Sequence, residues 1–142
     1  MGVYLFVLLF VSGIFSNSTN AQVAGYTFTE NTAAYSAIAG TVVHASGWGD
    51  PAPVSVTIPF TFTFDNVGYT ACSVNGNGYI TFGGTASTAT GYTPVSAATG
   101  YAGAVSALGI DLVSNASTVV YGTTGITPNR VFIIQWNNCR RN

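Results

Sequence analysis

From Val54 to Phe64 the chain reads VSVTIPFTFTF, with apolar side chains at Val54, Val56, Ile58, Phe60, Phe62 and Phe64 and only Ser, Thr or Pro between them. Neighbouring side chains in a strand point to opposite faces, so this alternation predicts a strand with one buried face and one wet face. Pro59 falls on the wet face and leaves the pattern intact. It has no N–H to donate to a ladder, which predicts an edge position, a bulge or a break at that point. Burying all the apolar side chains of this stretch would stabilise the fold by roughly 10–15 kcal/mol, an upper estimate because a real unfolded chain already hides part of that surface.

The same reading extends along the chain. AGYTFT (24–29) alternates around Tyr26 and Phe28, and AYSAI and GTVVH (within 34–44) are short strand candidates. Residues 45–53 form a loop by their Gly and Pro content. Residues 65–68 form a turn, YTACSV (69–74) a strand, and Asn77-Gly78 suits a tight hairpin turn because both residues tolerate positive φ. YITFG (79–83) returns, and a Thr-, Ser-, Ala- and Gly-rich segment, 84–100, follows as a loop long enough to be functional or mobile. AVSALGIDL, TVVYG and RVFIIQW are the last strands. RVFIIQW is apolar on both parities, Val131 and Ile133 on one and Phe132, Ile134 and Trp136 on the other, which predicts a strand covered on both faces in the middle of the fold. No helical apolar period occurs beyond the first residues. Short strands with Gly-rich turns at this spacing predict an all-β fold, an antiparallel, jelly-roll-like β-sandwich. Only NNCRRN follows RVFIIQW. It is too short and polar to supply another buried strand, so a sandwich over 22–142 is expected to be incomplete at its C-terminal end.

The N-terminal apolar run, residues 3–15, is short for a bilayer span of about 20 residues. With Thr19 and Ala21 placed as small residues ahead of Gln22, it predicts a signal peptide helix over 1–21 cleaved between Ala21 and Gln22. An uncleaved anchor is the alternative, since no Lys or Arg precedes the run. No membrane association is expected after cleavage.

Charge narrows the function classes. Charged residues make up 5% of the chain, against roughly 25% in ordinary globular proteins. There is no Lys; the cations are Arg130, Arg140 and Arg141, and the acids are Glu30, Asp50, Asp65 and Asp111. A formal net charge of −1 cannot steer a polyanion, which disfavours nucleic acid as a partner. Disorder is disfavoured because 48% of residues are hydrophobic and 13% aromatic. Cys72 and Cys139 are permitted a disulfide in an exported chain, but both sit where a strand would point an apolar side chain, which favours two buried thiols.

Candidate chemistry is sparse. The acids are scattered singly, whereas acid–base work wants paired carboxylates or a His with an orienting acid. Asp65 and Asp111 read as turn residues, and His44 as a structural histidine at a strand end. No G-x-S-x-G elbow occurs, and Gly76 and Gly78 lie in a hairpin, not ahead of a helix. No cofactor is expected. Calcium is a weak candidate through Asp65, Asn66, Asp111 and Asn115, too few acids for a strong site. Asn115-Ala116-Ser117 matches a glycosylation sequon. The remaining clue is aromatic: Trp48 in SGWGD, with Tyr92 and Tyr101 in or beside the 84–100 segment, are candidate ligand contacts that would stack on sugar rings. The competing reading has them folded back as anchors on the core.

NGYITFG (77–83), SALGIDL (106–112) and TPNRVFIIQW (127–136), in that order behind a leader ending NAQ, resemble the N-terminal β-sandwich module of large secreted surface proteins of gram-negative bacteria exported by the type IX route. The resemblance covers about residues 22–138. It implies a non-catalytic module at the front of a longer polypeptide, with fibronectin-like repeats and a sorting domain downstream. It carries no binding or catalytic residue onto this chain. The expected function is therefore adhesion, spacing or presentation by a secreted or cell-surface protein. The alternative is a carbohydrate-binding module using the loop aromatics. The expected partners are an extracellular or cell-surface polymer, glycan included, and downstream domains of the same polypeptide.

Overall fold

A computed structural model describes residues 29–96, 100–116 and 118–142. The leader, the Ala21–Gln22 cleavage point and all of AGYTFT but Thr29 lie outside the described residues. The chain divides into two units, Met1–Ala34 and Tyr35–Asn142, and every described strand belongs to the second.

The strands are β1 (Thr41–His44), β2 (Val54–Phe64), β3 (Val67–Asn75), β4 (Tyr79–Phe82), β5 (Gly103–Ser106), β6 (Leu112–Ser114), β7 (Val119–Thr124), β8 (Val131–Trp136) and β9 (Cys139–Arg141). They form one sheet in the order β2-β3-β4-β5, a second in the order β1-β7-β8, and a two-stranded β6-β9 sheet. Every pairing is antiparallel, and no helix occurs among the described residues. The architecture is an antiparallel β-sandwich. Val56, Ile58, Cys72, Val74 and Phe82 from the first sheet meet Val119 from the second, with Val43, Tyr121, Phe132, Ile134 and Trp136 packed against them.

β2 spans the whole alternating stretch, and its Ser and Thr positions are exposed as expected. It is an edge strand, and its register with β3 slips: Thr57 faces Ala71 while Phe62 faces Tyr69. The missing N–H of Pro59 lies inside that slip, where no ladder bond is lost. The slip also limits burial. Val56 and Ile58 are 6% and 3% exposed, but Phe60 and Phe64 are only half-buried and Phe62 is 37% exposed. Beyond the bulge the strand no longer presses evenly on the facing sheet, and its aromatics lean on Phe82 instead. The ring centroids of Phe62, Phe64 and Tyr69 lie 5.3, 5.3 and 5.2 Å from that of Phe82.

Both hairpins of this sheet follow turn chemistry. Asp65 and Asn66 have φ of 48° and 59° between paired Phe64 and Val67, the two positive angles that a type I′ turn requires. The β3–β4 turn is one residue longer than the sequence suggested. Asn75 pairs with Tyr79, and of the residues between them Gly78 takes the left-handed angle, φ 79°. Asn77 is released from the turn geometry and points its side chain inward.

Four sequence expectations are corrected. β8 is half-buried on both faces, with Val131 exposed, and is the end of its sheet, not its middle. Its second cover is residues 35–38, read from AYSAI as a strand but forming none. Tyr35 donates to Asn137 Oδ1 (2.9 Å), and the Gln135 amide exchanges hydrogen bonds with Ile38 N (3.0 Å) and Ser36 O (3.3 Å). Two-sided apolar patterning reports cover on the faces, and says nothing of the ladder edge. AVSALGIDL is broken into β5 and β6 around Gly109, φ 56°. NNCRRN, not read as a strand, forms a short and mostly exposed one, β9, which pairs Cys139, Arg140 and Arg141 with Ser114, Val113 and Leu112.

Candidate functional site

The densest polar cluster lies where the β3–β4 hairpin meets the 84–100 segment. Asn75, Asn77 and Tyr79 are at most 2% exposed. Asn75 Oδ1 accepts from Asn77 N (2.8 Å), and its amide donates to Tyr79 Oη (2.9 Å), Ser87 Oγ (3.2 Å) and Thr88 O (2.9 Å). Asn77 Oδ1 accepts from Leu112 N (2.9 Å), and its amide donates to Ala89 O (3.2 Å) and Gly91 O (3.0 Å). Tyr79 also donates to Gly91 O (2.9 Å), and Trp136 Nε1 donates to Asn75 O (3.0 Å). These side chains tie an otherwise irregular segment to the outer face of the four-stranded sheet. Buried amides cost free energy unless paired, and here each finds backbone partners. Burial pushes the Tyr79 hydroxyl above its ordinary pKa; the Ser87 hydrogen bond opposes this and Tyr101 adds to it. Sequence reading treated NGNG as turn chemistry alone. The missed signal is two amides two residues apart at a strand end, opposite a segment with no pattern of its own.

The three aromatic candidates are not gathered into one surface. Trp48 is half-buried against the core; its carbonyl accepts from Ser114 N (2.9 Å), and its ring lies beside Gly76, where an added Cβ would sit 3.3 Å from it. Tyr101 is half-buried and donates to the Pro94 carbonyl, anchoring the loop. Tyr92 alone of the three is open, 46% exposed.

Asp65 sits in its I′ turn, and Asp111 takes Asn142 at both its carbonyl (3.0 Å) and its carboxylate (3.2 Å). Asn115 O accepts from the Asn138 amide (2.7 Å). Among the described residues, no three His, Cys, Asp or Glu side chains come together as a metal group. Cys72 is buried as expected, but Cys139 is only half-buried, with its Sγ 3.5 Å from Asn137 O. Burial pushes Cys72 up to about 11, far from the thiolate that a nucleophile needs.

His44, the chain's one histidine, is 6% exposed, with its ring centroid 6.3 Å from that of Trp48. Its Nε2 and the Trp48 Nε1 are buried without a hydrogen-bond partner. Burial holds its pKa below the ordinary 6.5, against the opposing effect of a hydrogen bond with the Val74 backbone. The unfolded chain therefore binds a proton that the folded chain refuses. The stability carried by neutral His44 is full above the unfolded pKa of 6.5 and is lost as pH falls from there toward the folded value. The melting temperature is expected to drop as pH is lowered from about 7.5 to about 5, and His44→Gln is expected to flatten that part of the profile. Identical pH profiles for the two proteins would contradict this.

Surface concavities lie on both sides of the four-stranded sheet. One, about 380 Å3, lies on the polar side of the four-stranded sheet between Pro53, Ser55, Ser73, Thr81 and Gly84; Ser73 Oγ is buried there without a partner. Another is apolar and lies between the two sheets, lined by Phe60, Phe62, Ile80, Val105 and Phe132, with Arg130 at its mouth.

A family model described as NIDO related matches residues 25–142. No curated protein and no solved structure matches the chain. NIDO-related domains are extracellular modules of a non-enzymatic type. This is coarser than the resemblance to type IX-exported surface modules, and it names neither a ligand nor an export route.

Proposed function

The chain belongs to the NIDO-related family, and from that premise we propose that it is a non-catalytic β-sandwich module of a secreted or cell-surface protein, acting in adhesion, spacing or presentation. The observation that carries this reading is how the buried polar groups are used. Asn75, Asn77 and Tyr79, the polar cluster best placed for chemistry, direct their hydrogen bonds to the chain's own backbone, to Ser87 and to one another. The reading includes export behind a leader cleaved before Gln22, the type IX route, downstream domains in the same polypeptide, and an extracellular polymer as partner.

A second reading is glycan binding. It is favoured by the hydroxyl-lined concavity with its unpartnered Ser73 Oγ and by the exposed Tyr92. Sugars are recognised by directed hydroxyl hydrogen bonds together with an aromatic face. Screening residues 22–142 on immobilised glycans and matrix proteins tests both. Retention lost in Tyr92→Ala or Ser73→Val supports the glycan reading, and retention unaffected by both supports adhesion through another surface. Turnover of glycoside or peptide substrates that disappears in Asp65→Asn or Asp111→Asn would contradict a non-catalytic module.

A further inference from the structure

The two larger sheets end on four strands, β2 and β5, β1 and β8, which differ in how they are protected. β2 carries Pro59 and a register slip, and β1 is only four residues long with a slip between Val42 and His44. Such devices stop an edge from recruiting another strand. β8 has none of them. It is VFIIQW, without charge, proline or register break, and among the described residues β7 is the only strand that pairs with it.

The space beside β8 is apolar as well. β5 ends the other sheet, and between β5 and β8 run two contiguous concavities of about 280 and 220 Å3 that share Ile80, Val105 and Phe132. Ile134 and Trp136 line the second. Phe62, Val105 and Val131 stand 37%, 46% and 53% exposed around this opening. Arg130 stands at its end, next to the first residue of β8. Its guanidinium lies 4.9 Å over the Phe60 ring and donates to Pro59 O (3.0 Å). Neither partner is an acid, so its charge is uncompensated among the described residues.

We propose that this side of the sandwich is a strand-acceptor site, filled by an extended segment of a partner polypeptide. Among the described residues no second strand pairs with β8, and the outward N–H and C=O groups of its edge are matched in register by another extended backbone, not by a helix, a lipid or a compact small molecule. With alternate side chains on one face, the occupant is apolar at every second position toward Ile80, Phe132 and Ile134 and polar between. Every pairing in the molecule is antiparallel, so the end of the segment that meets Arg130 is its C-terminal end, and it carries an acidic side chain there. The family reading names no partner; this assigns the partner's chemistry and the surface that takes it.

Amidated synthetic peptides of about eight residues alternating Val and Thr test the proposal, one ending in Asp, one in Lys and one with a central Pro in the Asp series. Binding to the folded chain is read by hydrogen exchange at individual amides and by titration. The Asp peptide is expected to protect amides in β8 and leave β2 unchanged, and to bind about tenfold more tightly than the Lys peptide. The Pro peptide is expected not to bind. Arg130→Glu, at an exposed position that leaves the fold intact by circular dichroism, should reverse the Asp and Lys preference. Absence of β8 protection with every peptide, equal binding of the Asp and Lys peptides, or the same preference in Arg130→Glu would overturn the proposal. So would a peptide-free dimer whose β8 amides are already protected, because the edge would then belong to a second copy of the chain.

Discussion

Replacing Asn77 with alanine is expected to destabilise the domain by roughly 3–5 kcal/mol, because each buried group left unpaired costs about 1–3 kcal/mol and several lose their partner together. The Asn77 amide satisfies Leu112 N, Ala89 O and Gly91 O at once, and the side chain is 1% exposed. It therefore joins the β3–β4 turn, the start of β6 and the irregular segment after β4. Asn77→Asp should be no better. A carboxylate still accepts from Leu112 N, but it faces the Ala89 and Gly91 carbonyls with no donor unless it takes up a proton. A urea titration of Asn77→Ala beside Thr61→Ala, an exposed position where little change is expected, measures the difference. Limited proteolysis adds a second readout, with the first cut of Asn77→Ala moving into residues 85–96. A loss below about 1 kcal/mol would mean that water replaces the amide, and that the segment is held by other contacts.

Phe82→Ala should be comparably costly, about 3–5 kcal/mol from lost burial plus the cavity left behind. The ring is 1% exposed and is the common neighbour of Phe62, Phe64 and Tyr69. Phe62→Ala, from the same cluster but 37% exposed, should cost about half as much, since the ring leaves less area to be uncovered and water already reaches the site. Chemical denaturation of the two variants separates the readings. Equal losses would mean that Phe62 is covered in solution to the same degree as Phe82.

How far the sequence could be read depended on which physical signal each element carries. β2 was legible to its ends because the two-residue period is a direct image of a half-buried strand, and Pro59 marked the edge and the slip. Burial along it was overestimated, since a period reports direction and not depth. The bulge takes Phe62 off the core without disturbing the alternation. β8 was legible as a strand with partial cover on both faces, but the cover of its outer face comes from residues 35–38, held by the Gln135 amide and the Tyr35 hydroxyl. Such contacts between polar groups far apart in sequence leave no periodic trace. β9 was missed because Arg140 and Arg141 look like a solvated tail, yet a ladder bonds through backbone groups that every residue has. The Asn75–Asn77–Tyr79 cluster was hidden for a related reason. Asn beside Gly is the usual composition of a hairpin turn, and only the fold shows that the Asn77 side chain serves three distant backbone groups.

The functional reading follows from the same facts. In a chain with 5% charged residues, the buried amides of Asn75 and Asn77 are committed to groups of the chain itself. Its distinctive surfaces are an unprotected strand edge and the concavities on either side of the four-stranded sheet. The central claim is that this chain works outside the cell as a non-catalytic module. The most direct test labels intact producing cells with an antibody to residues 35–142 and determines the N-terminal residue of the labelled chain by mass spectrometry. The account predicts surface or medium labelling without permeabilisation and a chain that starts at Gln22. Labelling only after permeabilisation, with a chain that still starts at Met1, would contradict it.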